Sequence, residues 1–118
     1  MACCPLTDET QGFLNAALFA RLPAGAYLIT VGRGGHLIDQ DLLTALDHGQ
    51  LGAATLDAFT QEPLPVDHPF WRDPRIIVTP HIATRTGPTV VVSQLLENLA
   101  RLDAGTPLVG AIDRQRGY

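Results

Sequence analysis

Ala26-Tyr27-Leu28-Ile29-Thr30-Val31-Gly32 is the stretch on which the fold of this 118-residue chain turns. It is apolar, rich in β-branched residues, bounded by glycines and too short for a helix. It therefore reads as a strand buried on both faces, as strands of parallel sheets are. Just downstream, Asp39 is placed to cap a helix over Gln40–His48, with Leu42, Leu43 and Leu46 as its apolar stripe and Gly49 as its stop. Gly52–Ala58 then repeats the strand pattern, and Ile76–Thr79 repeats it again. Strands alternating with a helix of this length predict βαβ units, hence an α/β fold with a parallel sheet.

The flanks agree with that frame. Asn15 caps a short helix carrying Leu18, Phe19 and Leu22, which Pro23 and Gly25 stop. Before it, Ala2–Leu6 reads as the end of another strand, broken at Pro5. A last helix starts near Gly87 and Pro88 and runs to about Ala104, where Gly105 ends it. Its Val91, Leu95, Leu99 and Leu102 recur every three or four residues, the pattern of one buried face. Only Gln61–Arg75 breaks the rhythm, with four prolines and no apolar period. Long loops after strand ends are where such folds place ligands.

Composition narrows the function classes. Apolar residues make up 46% and charged residues 17%, enough for a modest core and against disorder. The net charge is −4, and all eight basic residues are scattered arginines, so there is no basic stripe for nucleic acid. Cys3 and Cys4 are adjacent, a poor geometry for a structural disulfide, which fits a reduced intracellular setting. No apolar run reaches the roughly 20 residues of a membrane helix, and the start lacks the pattern of a signal peptide. The expected location is the cytoplasm. No histidine or cysteine spacing matches a metal site, and Ser93 lacks a nucleophile-elbow context.

In an open parallel sheet the reactive crevice lies beyond the carboxyl ends of the strands. Three polar residues fall there. Arg33, within Gly32-Arg33-Gly34-Gly35, could grip a carboxylate with two prongs. Beyond the second strand come Asp57, a possible polar contact, and Glu62, which could orient a base. The third strand runs into Thr79-Pro80-His81, a histidine suited to general acid or base work near neutral pH. Taken singly, each is more often a solvated or structural residue. Their weight comes from leaving three successive strands at one sheet edge. His36, His48 and His68 carry less: one follows Arg33 in its turn, one ends a helix, and one sits in the proline-rich loop.

The ordered strings Pro5-Leu6-Thr7 with Thr10, Leu22-Pro23-Ala24-Gly25-Ala26, Val31-Gly32-Arg33-Gly34, Thr55-Leu56-Asp57, Glu62-Pro63-Leu64-Pro65 and Thr79-Pro80-His81-Ile82-Ala83 resemble the D-isomer-specific 2-hydroxyacid dehydrogenases. Phe70-Trp71, Pro74 and the ending Val109–Tyr118 look more narrowly like the glyoxylate/hydroxypyruvate reductase A branch. That ending also leads us to expect a complete C-terminus. The resemblance implies a partial Rossmann-type, doubly wound parallel sheet. It makes residues 1–118 a single truncated dinucleotide-binding domain, with a tail from 105 to 118 returning toward a substrate domain.

The resemblance also implies the chemistry. Arg33 would bind the carboxylate and adjacent carbonyl of a small 2-oxo acid, glyoxylate or hydroxypyruvate. His81 would donate a proton to that carbonyl as hydride arrives from the nicotinamide, and Glu62 would hydrogen-bond the imidazole and fix its tautomer. Cofactor contacts are implied at Pro5, Leu6, Thr7, Val31, Gly32, Arg33, Asp57, His81 and Ala83, with Asp57 toward the carboxamide. The branch favours NADPH over NADH, and the full-length family member is expected to be a homodimer.

One family feature is absent: no Gly-x-Gly-x-x-Gly turn occurs, and Gly32-Arg33-Gly34-Gly35 has the wrong spacing and follows a later strand. A pyrophosphate would lose its helix N-terminus. The isolated chain is therefore expected to turn over negligibly. A non-catalytic nucleotide-binding or dimerising remnant is the alternative.

Overall fold

A computed structural model of the chain describes residues 1–115. Three parallel strands, β1 (Ala26–Thr30), β2 (Leu51–Leu56) and β3 (Ile76–Val78), form one sheet in the order β1-β2-β3. The registers pair Leu28 with Ala54, Thr30 with Leu56, and Leu56 with Val78, so all three carboxyl ends finish level. That alignment is what brings the loops after the strands together.

Helices α1 (Ala16–Phe19), α2 (Asp39–Asp47) and α3 (Pro88–Asp103) lie where periodicity and stop residues place them. Asn15 caps α1, its side chain accepting from the Leu18 amide. Gly49 takes φ +71 beyond α2, and Gly105 takes φ +65 beyond α3, the left-handed turns that glycine makes cheaply. The cap of α2 differs from expectation. Ile38 holds the N-cap position and Asp39 is the first helical residue. The Asp39 carboxylate instead meets His68 Nε2 at 3.5 Å, tying α2 to the proline-rich loop.

Packing divides the chain into two compact units, Met1–Ala83 and a second beginning at Thr84. In the first, Leu14, Phe19, Leu28, Leu42, Leu46, Leu51 and Leu56 form one apolar core with Phe70 and Ile76. Phe70 reaches it from a single 3-10 turn (Pro69–Trp71) inside the loop that lacks apolar period. A proline-rich segment can thus donate one anchor to a core without any periodic signal.

β1 is not buried on both faces. Leu28 and Thr30 are buried, whereas Tyr27 is 75% and Ile29 41% exposed, and Ile77 of β3 is 61% exposed. The run is apolar because it is the strand of a two-sided sheet, yet among the described residues only one side is covered. Nor does Ala2–Leu6 form a strand. Ala2 alone pairs with β1, its amide donating to the Ile29 carbonyl and its carbonyl accepting from Val31. Beyond it the chain departs toward Pro5, which has no amide to donate.

The second unit is α3 with the segment that follows it. No residue of α3 is buried, contrary to the expectation of one covered face: Val91, Leu95, Leu99 and Leu102 are between 49% and 66% exposed. The helix is well made in itself, with Gly87 as N-cap, Pro88 at its first position and a Glu97–Arg101 pair one turn apart. Asn98 exchanges two hydrogen bonds with the backbone of Val109, and Arg101 donates to the Pro107 carbonyl, so the tail folds back along its own helix. Part of the branch-like ending, Arg116–Tyr118, lies outside the described residues.

Candidate active site

β1 ends at Thr30, and the chain passes through Val31 and Gly32 into a loop that carries Arg33 into solvent. The guanidinium donates to the Gly32 carbonyl at 3.1 Å. The loop is held from below: Gly34 lies so close to the backbone of Phe59 and Thr60 that an added Cβ would sit 1.9 Å from the Phe59 carbonyl carbon. Gly34 therefore fastens the Arg33 loop to the loop after β2. That second loop carries Glu62, whose Oε1 accepts from the Phe59 amide at 2.9 Å. One glycine contact thus joins the supports of two candidate catalytic residues.

His81 follows β3 with φ +54, a left-handed conformation uncommon outside glycine. The turn directs its ring to Glu62: Nδ1 lies 2.9 Å from Oε2 and 3.1 Å from Oε1. The His81 bond, chiefly, and the Phe59 amide after it hold the Glu62 carboxyl below its ordinary range, with smaller help from the His81 and Arg33 charges. A carboxylate that stays ionised accepts from Nδ1–H and so fixes the imidazole's orientation. The Nε2 edge makes no hydrogen bond among the described residues. Beside it Phe59, Pro63, Leu64, Trp71, Val78 and Pro80 enclose, with Glu62 and His81, a mostly apolar cavity of about 420 Å³.

Asp57 is 2% exposed. Its Oδ1 accepts from the Thr79 hydroxyl and, at 3.0 Å, from the Ile82 amide, while Oδ2 accepts from the Ala83 amide at 2.9 Å. These donors lie on both sides of His81, so the carboxylate ties down the turn that presents the imidazole. Burial pushes the Asp57 carboxyl up, but the Thr79, Ala83 and Ile82 bonds together outweigh it and hold the group below the ordinary carboxylate range. A folded value below the unfolded one gives stability that is complete above the ordinary range and is lost as pH falls through the lowered value. Asp57→Asn places an amide N–H against one of the donors. We expect it to cost about 1–3 kcal/mol at neutral pH and to flatten the loss of stability on acidification, as urea unfolding across an acid series would register. An unchanged acid slope would contradict the assignment.

Pro5–Thr7 forms a turn closed by Thr10, whose hydroxyl donates to the Pro5 carbonyl at 2.8 Å and accepts from the Thr7 amide. His36, given little weight from the sequence, proves to be wholly buried. Its Nδ1 accepts from the Arg33 amide at 3.1 Å and its Nε2 lies 3.2 Å from the Pro5 carbonyl. A histidine directly after a glycine pair has no periodic signature, and only its nearness to Arg33 hinted at a role. Pro5–Thr7, Arg33, Asp57, Glu62, His81 and Ala83 thus fall in one unit, linked through Gly34, His36 and Asp57.

An imidazole after β3 paired with an ionised carboxylate after β2, in the unit that also carries an exposed arginine after β1, makes a candidate acid–base site. The chain belongs to the D-isomer specific 2-hydroxyacid dehydrogenases, residues 1–83 matching the family's NAD binding domain. The glyoxylate/hydroxypyruvate reductase A of Serratia proteamaculans is 54% identical over 114 residues, covering 97% of this chain and 36% of that protein. Among solved structures, the NADPH-dependent glyoxylate/hydroxypyruvate reductase of Sinorhizobium meliloti, in complex with NADP and sulfate, superposes with a TM-score of 0.91 at 41% identity. It matches 98% of this chain, which covers 38% of that one. A D-isomer specific 2-hydroxyacid dehydrogenase of Xanthobacter autotrophicus, in complex with NADPH and MES, gives 0.92 at 43% identity, with 98% and 48% covered. The parallel sheet is accordingly part of a Rossmann-type fold, and the chain spans about a third of the curated relatives' length. No helix among the described residues is long and apolar enough to cross a membrane.

Proposed function

We propose that this chain supplies the proton-transfer and carboxylate-binding part of a reductase that converts a small 2-oxo acid, glyoxylate or hydroxypyruvate, to the 2-hydroxy acid. The observation that carries this reading is the Glu62–His81 pair, with Nδ1 engaged at 2.9 Å and both residues lining a cavity. In it, Arg33 grips the substrate carboxylate and holds the neighbouring carbonyl in place. His81 delivers a proton from Nε2 to the carbonyl oxygen, and Glu62 stabilises the ring while it is charged. NADPH, when bound, supplies the hydride.

The residues present fit only one end of that cofactor. Asp57 Oδ2 accepts a single protein hydrogen bond and so retains a lone pair for a carboxamide N–H, and the Pro5–Thr7 turn borders the same unit. No glycine-rich phosphate turn lies in the sequence. Similarity to reductases solved with NADPH or NADP supports the phosphorylated cofactor.

The reading is tested by building a completed subunit, in which this chain replaces the matching 36% of the Serratia proteamaculans relative. NADPH oxidation driven by glyoxylate or hydroxypyruvate is expected from the completed subunit and negligible turnover from the 118-residue chain alone. Calorimetric NADPH binding without turnover in the completed subunit would favour a non-catalytic nucleotide-binding module instead.

A further inference from the structure

We infer that His36 is a positioning residue that sets the Arg33 loop and the Pro5–Thr7 turn in one fixed register. Its role in catalysis rests on the reductase reading; its role as a clasp does not. The ring is wholly buried, and its two nitrogens face backbone groups of Arg33 and Pro5, from two separate segments of the chain, with Cys4 Sγ a further 3.9 Å from Nε2. The Arg33 amide can only donate, so Nδ1 must accept. The Pro5 carbonyl can only accept, so Nε2 must donate. The two bonds together require the Nε2–H tautomer. Among the described residues the Arg33 amide makes no other hydrogen bond, and the Pro5 carbonyl has Thr10 as its other donor.

The surroundings are shaped for this ring. A Cβ on Gly32 would lie 2.8 Å from Nδ1 and 2.9 Å from Cε1, so the absence of a side chain there admits the imidazole. Phe13 packs edge-on against it with ring centroids 5.4 Å apart. Leucine or phenylalanine would satisfy the apolar contacts yet leave the part-buried Arg33 amide without its acceptor and the Pro5 carbonyl with Thr10 as its donor. A histidine here meets a demand that packing alone does not explain. The consequence is mechanical: Arg33, proposed to hold the substrate, and Pro5–Thr7, proposed to border the cofactor, are fixed to opposite sides of one ring. Small misplacements of reacting groups lose rate steeply, so the clasp governs how substrate and hydride donor meet.

Two measurements test this. On the 118-residue chain, long-range proton–nitrogen spectra of the imidazoles should show His36 as the Nε2–H tautomer. An Nδ1–H tautomer would overturn the inference whatever the chain's activity. In the completed subunit, His36→Phe keeps the ring but loses both bonds. It should raise KM for the 2-oxo acid and for NADPH together and lower kcat, with kcat/KM down about 10- to 100-fold. His36→Asn keeps an acceptor near the Nδ1 position. It should restore the 2-oxo acid KM to within about threefold of the parent while the NADPH KM stays raised. A purely packing role predicts the reverse ranking: His36→Phe near the parent and His36→Asn impaired. That ranking, or KM values unmoved in both variants, would sink the proposal. If the unaltered completed subunit lacks reductase activity, the functional reading fails and the tautomer alone decides the clasp.

Discussion

His81→Asn in the completed subunit should lower kcat by about 10²- to 10⁴-fold, the range for loss of a positioned general acid. Asparagine is the informative replacement because it tolerates the left-handed backbone that His81 adopts at φ +54. Its amide can still donate to Glu62, so the turn keeps its anchor while the transferable proton disappears. KM for the 2-oxo acid should move much less than kcat, since the substrate carboxylate is assigned to Arg33. Glu62→Gln should fall between the parent and His81→Asn. It retains an acceptor for Nδ1–H but removes the negative charge that steadies the imidazolium. A His81→Asn enzyme within about threefold of the parent kcat would remove His81 from the chemistry.

Gly34→Ala should produce a large loss of stability. A methyl group 1.9 Å from the Phe59 carbonyl carbon and 2.2 Å from the Thr60 nitrogen cannot be accommodated by rotating a side chain, because the obstacle is backbone. Either the Arg33 loop lifts or the Phe59–Glu62 loop retreats. Overpacking against backbone of this kind costs about 3 kcal/mol, the upper end of the usual range, or on the order of 10 °C in Tm for a domain of this size. Thermal unfolding of the 118-residue chain measures it directly. Because the Phe59 amide also supports Glu62, the lesion should reach the His81 pair. Gly25→Ala offers a contrast, since nothing lies within 4 Å of the added carbon and only its φ of +74 is strained.

Much of this arrangement was legible in the sequence. A β-branched run between glycines located β1, short apolar runs located β2 and β3, and stop residues located the helix ends, because all depend on local backbone preference. Arg33, Glu62 and His81 were legible as a set since strand ends in a parallel sheet converge. Features set by distant partners were not. Asp39 looks like a cap in its local context, but His68 draws its carboxylate away. The apolar character of Tyr27, Ile29 and the α3 stripe promised burial, yet periodicity reports what a face requires and not whether the chain in hand supplies it. Phe70 and His36 act through single long-range contacts, which leave no repeating pattern to read. Asp57 was legible as a polar residue at a strand end; that it fastens both flanks of His81 depends on two amides 25 and 26 residues away.

Every group proposed to touch substrate, and both of the buried ties that aim them, falls within Met1–Ala83. The catalytic geometry is therefore heritable as one uninterrupted block. A recombination joint placed after Ala83 would carry the proposed reacting groups and their supports together, whereas one between Glu62 and His81 would part the imidazole from its carboxylate.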